Sequence, residues 1–209
     1  MHHCKVLMAN APAVTLALAL SLGAVPAWAL KTGEAAPGFA GPSALAGVKS
    51  TFTLHTALQR GPVVLYFFPL AFSEGCSIEA RAFAEATDRF SALGATVVGV
   101  SGNDLDTLAR FSVRVCNGKF AVVSDPSQAI MKSYGAVLDT RPDFAARVSF
   151  VIAPDGTVAH IYKSLNPQRH VEETLGAVRS LPHQGLSVFG RLRTAPSVSS
   201  TCRCGFKLL

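Results

Sequence analysis

The stretch Val63-Val64-Leu65-Tyr66-Phe67-Phe68-Pro69-Leu70-Ala71-Phe72-Ser73-Glu74-Gly75-Cys76-Ser77-Ile78-Glu79-Ala80-Arg81-Ala82-Phe83 decides how the chain is read. Residues 63–68 are apolar, β-branched or aromatic and predict a buried strand. A short loop follows, and the spacing then predicts a helix over 75–93 that opens at Cys76. Cys76, Glu79, Ala80 and Phe83 recur at i, i+3, i+4 and i+7, so they share one helix face, and Glu79 lies one turn from the sulfur.

A thiol in the first turn of a helix meets unpaired backbone N–H groups and the positive end of the macrodipole, and both favour thiolate over thiol. An ordinary cysteine with a pKa near ~8.5 is only about 3% thiolate at neutral pH, whereas one lowered to ~6 is about 90%. Cys76 is therefore the candidate nucleophile. The loop from Pro69 to Gly75 predicts an accessible sulfur, against the usual reading of a free cysteine as a small buried hydrophobe.

Outward from this segment, strands alternate with helices: strand 63–68, helix 75–93, strand 95–100, helix 104–115, strand 120–124, helix 127–134, strand 148–152, strand 158–162 and helix 167–181. Such alternation predicts an α/β sandwich. Ala153-Pro154-Asp155-Gly156-Thr157 reads as a hairpin turn, and Asp125-Pro126-Ser127 as a loop entering a helix. The late strands are then partly antiparallel, and a mixed sheet with helices on both faces follows. Residues 31–60, rich in Gly, Pro and Ala with the alternating patch Thr51-Phe52-Thr53-Leu54, predict an irregular arm or short hairpin before the core.

The ends carry different signals. Residues 1–29 hold one basic residue, Lys5, then an uncharged apolar run ending Ala27-Trp28-Ala29, which reads as an export signal cleaved after Ala29. The alternative is an uncleaved membrane anchor, and Pro26 with the small-residue site favours cleavage and no stable membrane insertion afterwards. One domain is expected over 30–182, large enough for a core without disulfide staples. Residues 183–209 contain no acidic residue and no period, and they read as a basic, disordered tail. Its Cys202-Arg203-Cys204 pair lacks a further ligand cluster and is weak evidence for metal.

Of the formal net charge of +6, Lys5 supplies one and Arg191, Arg193, Arg203 and Lys207 supply four, leaving the body near neutral. No nucleic-acid stripe is visible there. Five cysteines are too few for a disulfide framework, and the six histidines are too dispersed to suggest a metal site.

Taken together, Pro69-x-x-x-Ser73-x-x-Cys76, Glu79 and Arg147 at the start of a core strand resemble the peroxiredoxins, and best their peroxiredoxin Q or bacterioferritin-comigratory-protein group. The resemblance covers roughly residues 39–181 and includes Val98-Gly99-Val100-Ser101, Ser124-Asp125-Pro126 and the run from Arg147 to Gly156. It implies a thioredoxin-like three-layer sandwich with a mixed central sheet, and a thiol-dependent peroxidase acting on hydrogen peroxide and organic hydroperoxides. It also implies a dithiol reductant of thioredoxin type, no cofactor and no metal, and a monomer.

By the same resemblance Cys76 is the peroxidatic cysteine, Ser73 the hydroxyl that holds the peroxide where Thr is usual, and Arg147 the cation beside the sulfur. Glu79 orients Arg147, and Pro69 shields the sulfur. The family's frequent second cysteine, five residues after the first, is replaced here by Arg81. Cys116 is the expected resolving cysteine, the alternative being a structural or free thiol. With the export signal, the protein is expected in a bacterial periplasm or, alternatively, a plastid thylakoid lumen.

Three rival readings make different demands on these residues. A thioredoxin-like disulfide reductase needs Cys-x-x-Cys, and Glu79 stands where the second sulfur belongs. The serine-hydrolase elbow fails because Asn103 replaces the last glycine after Gly99-Val100-Ser101-Gly102. A non-catalytic redox sensor or oxidation-dependent binding protein would use the same Cys76 and Cys116, and only turnover separates it from an enzyme.

Overall fold

A computed structural model describes residues 30–182. The export-signal reading of 1–29 and the tail reading of 183–209, with its Cys202 and Cys204, lie outside the described residues.

The strand predicted at 63–68 is β3 (Val63–Phe67), and all five of its residues are buried. Its side chains point alternately to two apolar clusters: Val64 and Tyr66, with Phe68 just beyond, into one, and Val63, Leu65 and Phe67 into the other. A strand buried on both faces has no polar side to present, which explains its unbroken apolar run.

Six further strands extend the sheet: β1 (Ala40–Leu45), β2 (Val48–Thr53), β4 (Thr96–Ser101), β5 (Ala121–Ser124), β8 (Val148–Ile152) and β9 (Val158–Lys163). Their order is β2-β1-β5-β4-β3-β8-β9. β3, β4 and β5 run parallel, while β1, β2, β8 and β9 pair antiparallel with their neighbours. The first apolar cluster receives α2 (Glu74–Ser91), α3 (Leu105–Arg114) and α5 (Arg169–Ser180), and the second receives α1 (Leu54–Leu58) and α4 (Ala129–Ser133). The result is the expected three-layer α/β sandwich with a mixed sheet.

α2 is a helix for local reasons as well as packing ones. Ser73 enters it in extended conformation, Glu74 faces the positive end of the dipole, Arg89 lies in its last turn, and alanines fill 80, 82, 84 and 86. It stops where Gly94, at φ 70°, turns the chain and Ala95 N–H donates to the Phe90 carbonyl at 2.9 Å. Its inner face carries Cys76, Glu79, Ala80 and Phe83, as the spacing predicts, and continues to Phe90. Burying Phe83 and Phe90 contributes roughly 1.5–3 kcal/mol each.

Two parts go beyond the sequence expectation. Of the irregular arm or short hairpin expected over 31–60, the structure has the hairpin, β1–β2, turned at Ala46 (φ 50°) and Gly47 (φ 81°), whose first strand also pairs with β5 and completes one side of the main sheet. Its strands are only half-buried, so their apolar pattern is weak. The second part is a small hairpin of β6 (Val137–Leu138) and β7 (Arg141–Ala145), which precedes Arg147 and was not predicted. The turn at 153–157 forms as expected: Ala153 N–H donates to Thr157 O at 2.8 Å, and Gly156 takes φ 87°.

Candidate active site

The C-terminal end of β3, the N-terminus of α2 and the start of β8 converge on Cys76. The helix begins at Glu74, two residues before the cysteine, so Cys76 is its third residue rather than its first. Arg147, immediately before β8, projects back to it: Nη2 lies 3.4 Å from Cys76 Sγ. The other arm, Nη1, is hydrogen-bonded and ion-paired to Glu79 Oε2 and lies 3.4 Å from the Gly75 carbonyl. One guanidinium therefore bridges the sulfur, a helix carbonyl and a carboxylate, a use suited to its rigid fork of donors.

Gly75 makes this approach possible. A Cβ at that position would lie 3.1 Å from Arg147 Nη2. Reasoning from sequence missed this role, although the signal was present: a glycine in the first turn of a helix costs propensity and needs a reason.

Cys76 is not accessible as the loop suggested. It is 1% exposed and belongs to the apolar cluster beneath α2. The loop before the helix is itself held down. Ala71 N–H donates to Asn103 Oδ1 at 2.8 Å, and Ser101 Oγ donates to the same oxygen at 2.9 Å. Phe72, at φ 65°, sets its ring edge-on to Phe111 with centroids 5.2 Å apart. Asn103, which breaks the hydrolase pattern, is thus the anchor of the loop before α2.

The remaining expected residues fall as follows. Ser73 is the N-terminal cap position, but its hydroxyl donates to the Leu70 carbonyl at 2.9 Å and not to the sulfur. Pro69 begins the loop and is half-buried. Cys116 lies two residues beyond α3, fully buried, and its N–H donates to Phe111 O at 3.2 Å. Burial pushes its thiol well above the ordinary range. Both cysteines are free, and both pack in the same apolar cluster.

Behind Glu79 stands a residue that the sequence reading passed over. His170, in the first turn of α5, is fully buried, with Nδ1 at 2.8 Å from Ser149 Oγ and 3.5 Å from Glu79 Oε1. Its Nε2 lies 2.9 Å from the Ser164 carbonyl. The signal was a polar residue on the apolar stripe His170, Val171, Thr174, Leu175 and Val178. Burial raises the Glu79 carboxyl to about 8 against the pull of Arg147. Burial also holds the His170 imidazole below its usual value, with Arg147 adding to the effect and the Ser164 hydrogen bond opposing it.

A mixed sheet covered by helices on both faces, with a buried thiol early in one helix met by a clamped arginine, defines a thioredoxin-like protein. The chain belongs to the AhpC/TSA family, whose model matches residues 32–161. Among curated relatives, it is 34% identical over 131 residues to the chloroplastic peroxiredoxin Q of Populus jackii, covering 62% of this chain and 61% of that one. It is 32% identical over 121 residues to the chloroplastic peroxiredoxin Q of Oryza sativa subsp. japonica, covering 57% and 55% respectively. The chain thus spans little more than half the length of these relatives. Among solved structures, peroxidoxin BcpB from Mycobacterium tuberculosis superposes with a TM-score of 0.67 at 27% identity, over 73% of this chain and 99% of that one. Reduced 2-Cys peroxiredoxin from Plasmodium vivax gives 0.65 at 25% identity, over 71% and 80%.

Proposed function

We propose that the protein is a thiol-dependent peroxidase that reduces hydrogen peroxide and organic hydroperoxides. The observation that carries this is the Arg147 guanidinium, 3.4 Å from the Cys76 sulfur and held there by Glu79. Attack of the Cys76 thiolate on one peroxide oxygen forms an S–O bond and breaks the O–O bond. The departing oxygen takes a proton and leaves as water or alcohol, and the sulfur becomes a sulfenic acid. Arg147 favours the thiolate and then stabilises the charge developing on the leaving oxygen. Ser73, after turning from Leu70, holds the peroxide, and Pro69 limits water at the sulfur.

Cys116 resolves the sulfenic acid: its sulfur displaces hydroxide, which leaves as water, and forms a disulfide with Cys76. A dithiol reductant of thioredoxin type then returns both thiols. Because both sulfurs are buried, this step requires the start of α2 and the end of α3 to open locally. That burial is also what favours the second reading, a sensor oxidised stoichiometrically. Repeated turnover with a dithiol reductant supports the enzyme, and one oxidation event per chain supports the sensor.

The curated relatives are named chloroplastic, which supports a plastid over a periplasmic site of action. The first experiment is mass spectrometry after one equivalent of hydrogen peroxide, on wild type, Cys76→Ser and Cys116→Ser. A Cys76–Cys116 disulfide in wild type and a trapped Cys76 sulfenate in Cys116→Ser are expected. No selective reaction at Cys76 would overturn the assignment.

A further inference from the structure

Glu79 Oε1 is a fully buried carboxylate oxygen without a hydrogen-bond partner, and it faces His170 Nδ1 at 3.5 Å. The chemistry of the neighbours restricts where protons sit. The Ser164 carbonyl can only accept, so His170 Nε2 carries a hydrogen. A neutral ring then presents a bare Nδ1, which accepts from the Ser149 hydroxyl at 2.8 Å. If Glu79 were also ionised, two lone pairs would face each other in a dry site, and the carboxylate oxygen would remain unsatisfied. Such an arrangement is costly.

One added proton removes the conflict from either side. Placed on Nδ1, it makes an imidazolium facing a carboxylate, and Ser149 turns to accept. Placed on Oε1, it makes a carboxylic acid facing an imidazole. In both arrangements the pair is net neutral. We propose that Glu79 and His170 hold one proton in common, so that the pair's net charge is zero and draws less on the charge of Arg147 beside Cys76.

His170 is then a positioning residue that acts on the sulfur through Glu79 and Arg147. The groups facing this pair are few. Ser149 comes from β8 and Arg147 from the residue before it. Tyr162 of β9 sets its ring edge-on to the imidazole with centroids 4.8 Å apart, and Cys76 shares the α2 face with Glu79. Tyr66 of β3, also within electrostatic reach of Glu79, has its hydroxyl pushed further up by burial. Arg147 is the only permanent charge among them.

The inference rests on Cys76 working as a thiolate, as proposed above, and is tested without peroxide. In wild type at pH 7, the carbon shift of the Glu79 carboxyl and the nitrogen shifts of the His170 ring report both protonation states. An acid beside a neutral ring, or a carboxylate beside a doubly protonated ring, is expected. A carboxylate beside a neutral ring, or an acid beside a doubly protonated ring, overturns the proposal.

Variants supply the second arm. In His170→Gln the amide donates to Oε1 without bringing a charge, so Glu79 ionises and takes up part of Arg147's field. The thiolate-to-thiol ratio of Cys76, read by ultraviolet absorbance, is expected to fall about tenfold. Adding Glu79→Gln to that variant restores it, because neither residue then carries charge. An unchanged ratio in the single variant, or no recovery in the double, overturns the proposal. A wild-type protein that passes these tests yet consumes no peroxide overturns only the peroxidase reading.

Discussion

Replacing Arg147 with Met keeps most of the side chain's length and removes its charge. In the structure this cation stands 3.4 Å from Cys76 Sγ and is 9% exposed, so little water screens it. Two unit charges about 4 Å apart interact by about 4 kcal/mol at an effective dielectric near 20, which corresponds to about a thousandfold in the thiolate-to-thiol ratio. Glu79 shares the same guanidinium, so this is the upper end, and measured effects of a single neighbouring charge run from about tenfold upward.

The fold should survive the change. Removing one partner of a buried ion pair costs about 3–5 kcal/mol when the other stays charged. Glu79, already raised to about 8 by burial, instead takes a proton at pH 7, which holds the loss nearer about 2 kcal/mol. The assay is paired: ultraviolet absorbance of the thiolate and the rate of alkylation by iodoacetamide, each at pH 7, with thermal melting as the check on folding. A folded Arg147→Met protein whose thiolate population lies within about twofold of wild type would refute the electrostatic reasoning.

Other outcomes follow from the same geometry. Stability should fall as pH rises from about 6.5 toward about 8, because there the unfolded Glu79 and His170 have both released their protons while the folded pair still holds one, whereas below about 6.5 the unfolded imidazole carries a proton that offsets it; denaturant midpoints should show the fall in wild type but not in Glu79→Gln. Gly75→Ala places a methyl 3.1 Å from Arg147 Nη2 and should lower alkylation of Cys76 about tenfold, with a stability change under about 1 kcal/mol; a variant as reactive as wild type would show that the guanidinium shifts without consequence. Asn103→Ala removes the acceptor for Ala71 N–H and Ser101 Oγ and should raise hydrogen exchange over residues 70–73 without altering exchange in β8. Cys116→Ala leaves the apolar cluster nearly intact and should cost about 1 kcal/mol while abolishing the intramolecular disulfide.

The main sheet and its long helices were legible in the sequence because their residues meet one strong condition, burial, that leaves a periodic trace. β3 and α2 show it most clearly: an unbroken apolar run in one, and an i, i+3, i+4, i+7 face in the other. The hairpin β1–β2 was read only weakly because much of it faces water. At the site, Cys76, Glu79 and Arg147 were recognisable together, and the structure brings them into contact. Gly75 was passed over because its contribution is the absence of a side chain opposite Arg147. His170 was passed over because its partners, Ser149, Ser164 and Glu79, lie in three other segments of the chain. The accessibility expected for Cys76 fails because its sulfur packs in an apolar cluster whose members come from segments far apart in the chain, which leaves no local pattern.

In the proposed cycle, the placement of both cysteines inside one apolar cluster ties turnover to looseness. If the two sulfurs must meet, the ends of α2 and α3 have to come apart in every cycle, and whatever tightens their packing lengthens the wait. Substitutions that harden this corner of the molecule against heat would therefore slow it as a catalyst, and selection for speed would keep the corner soft.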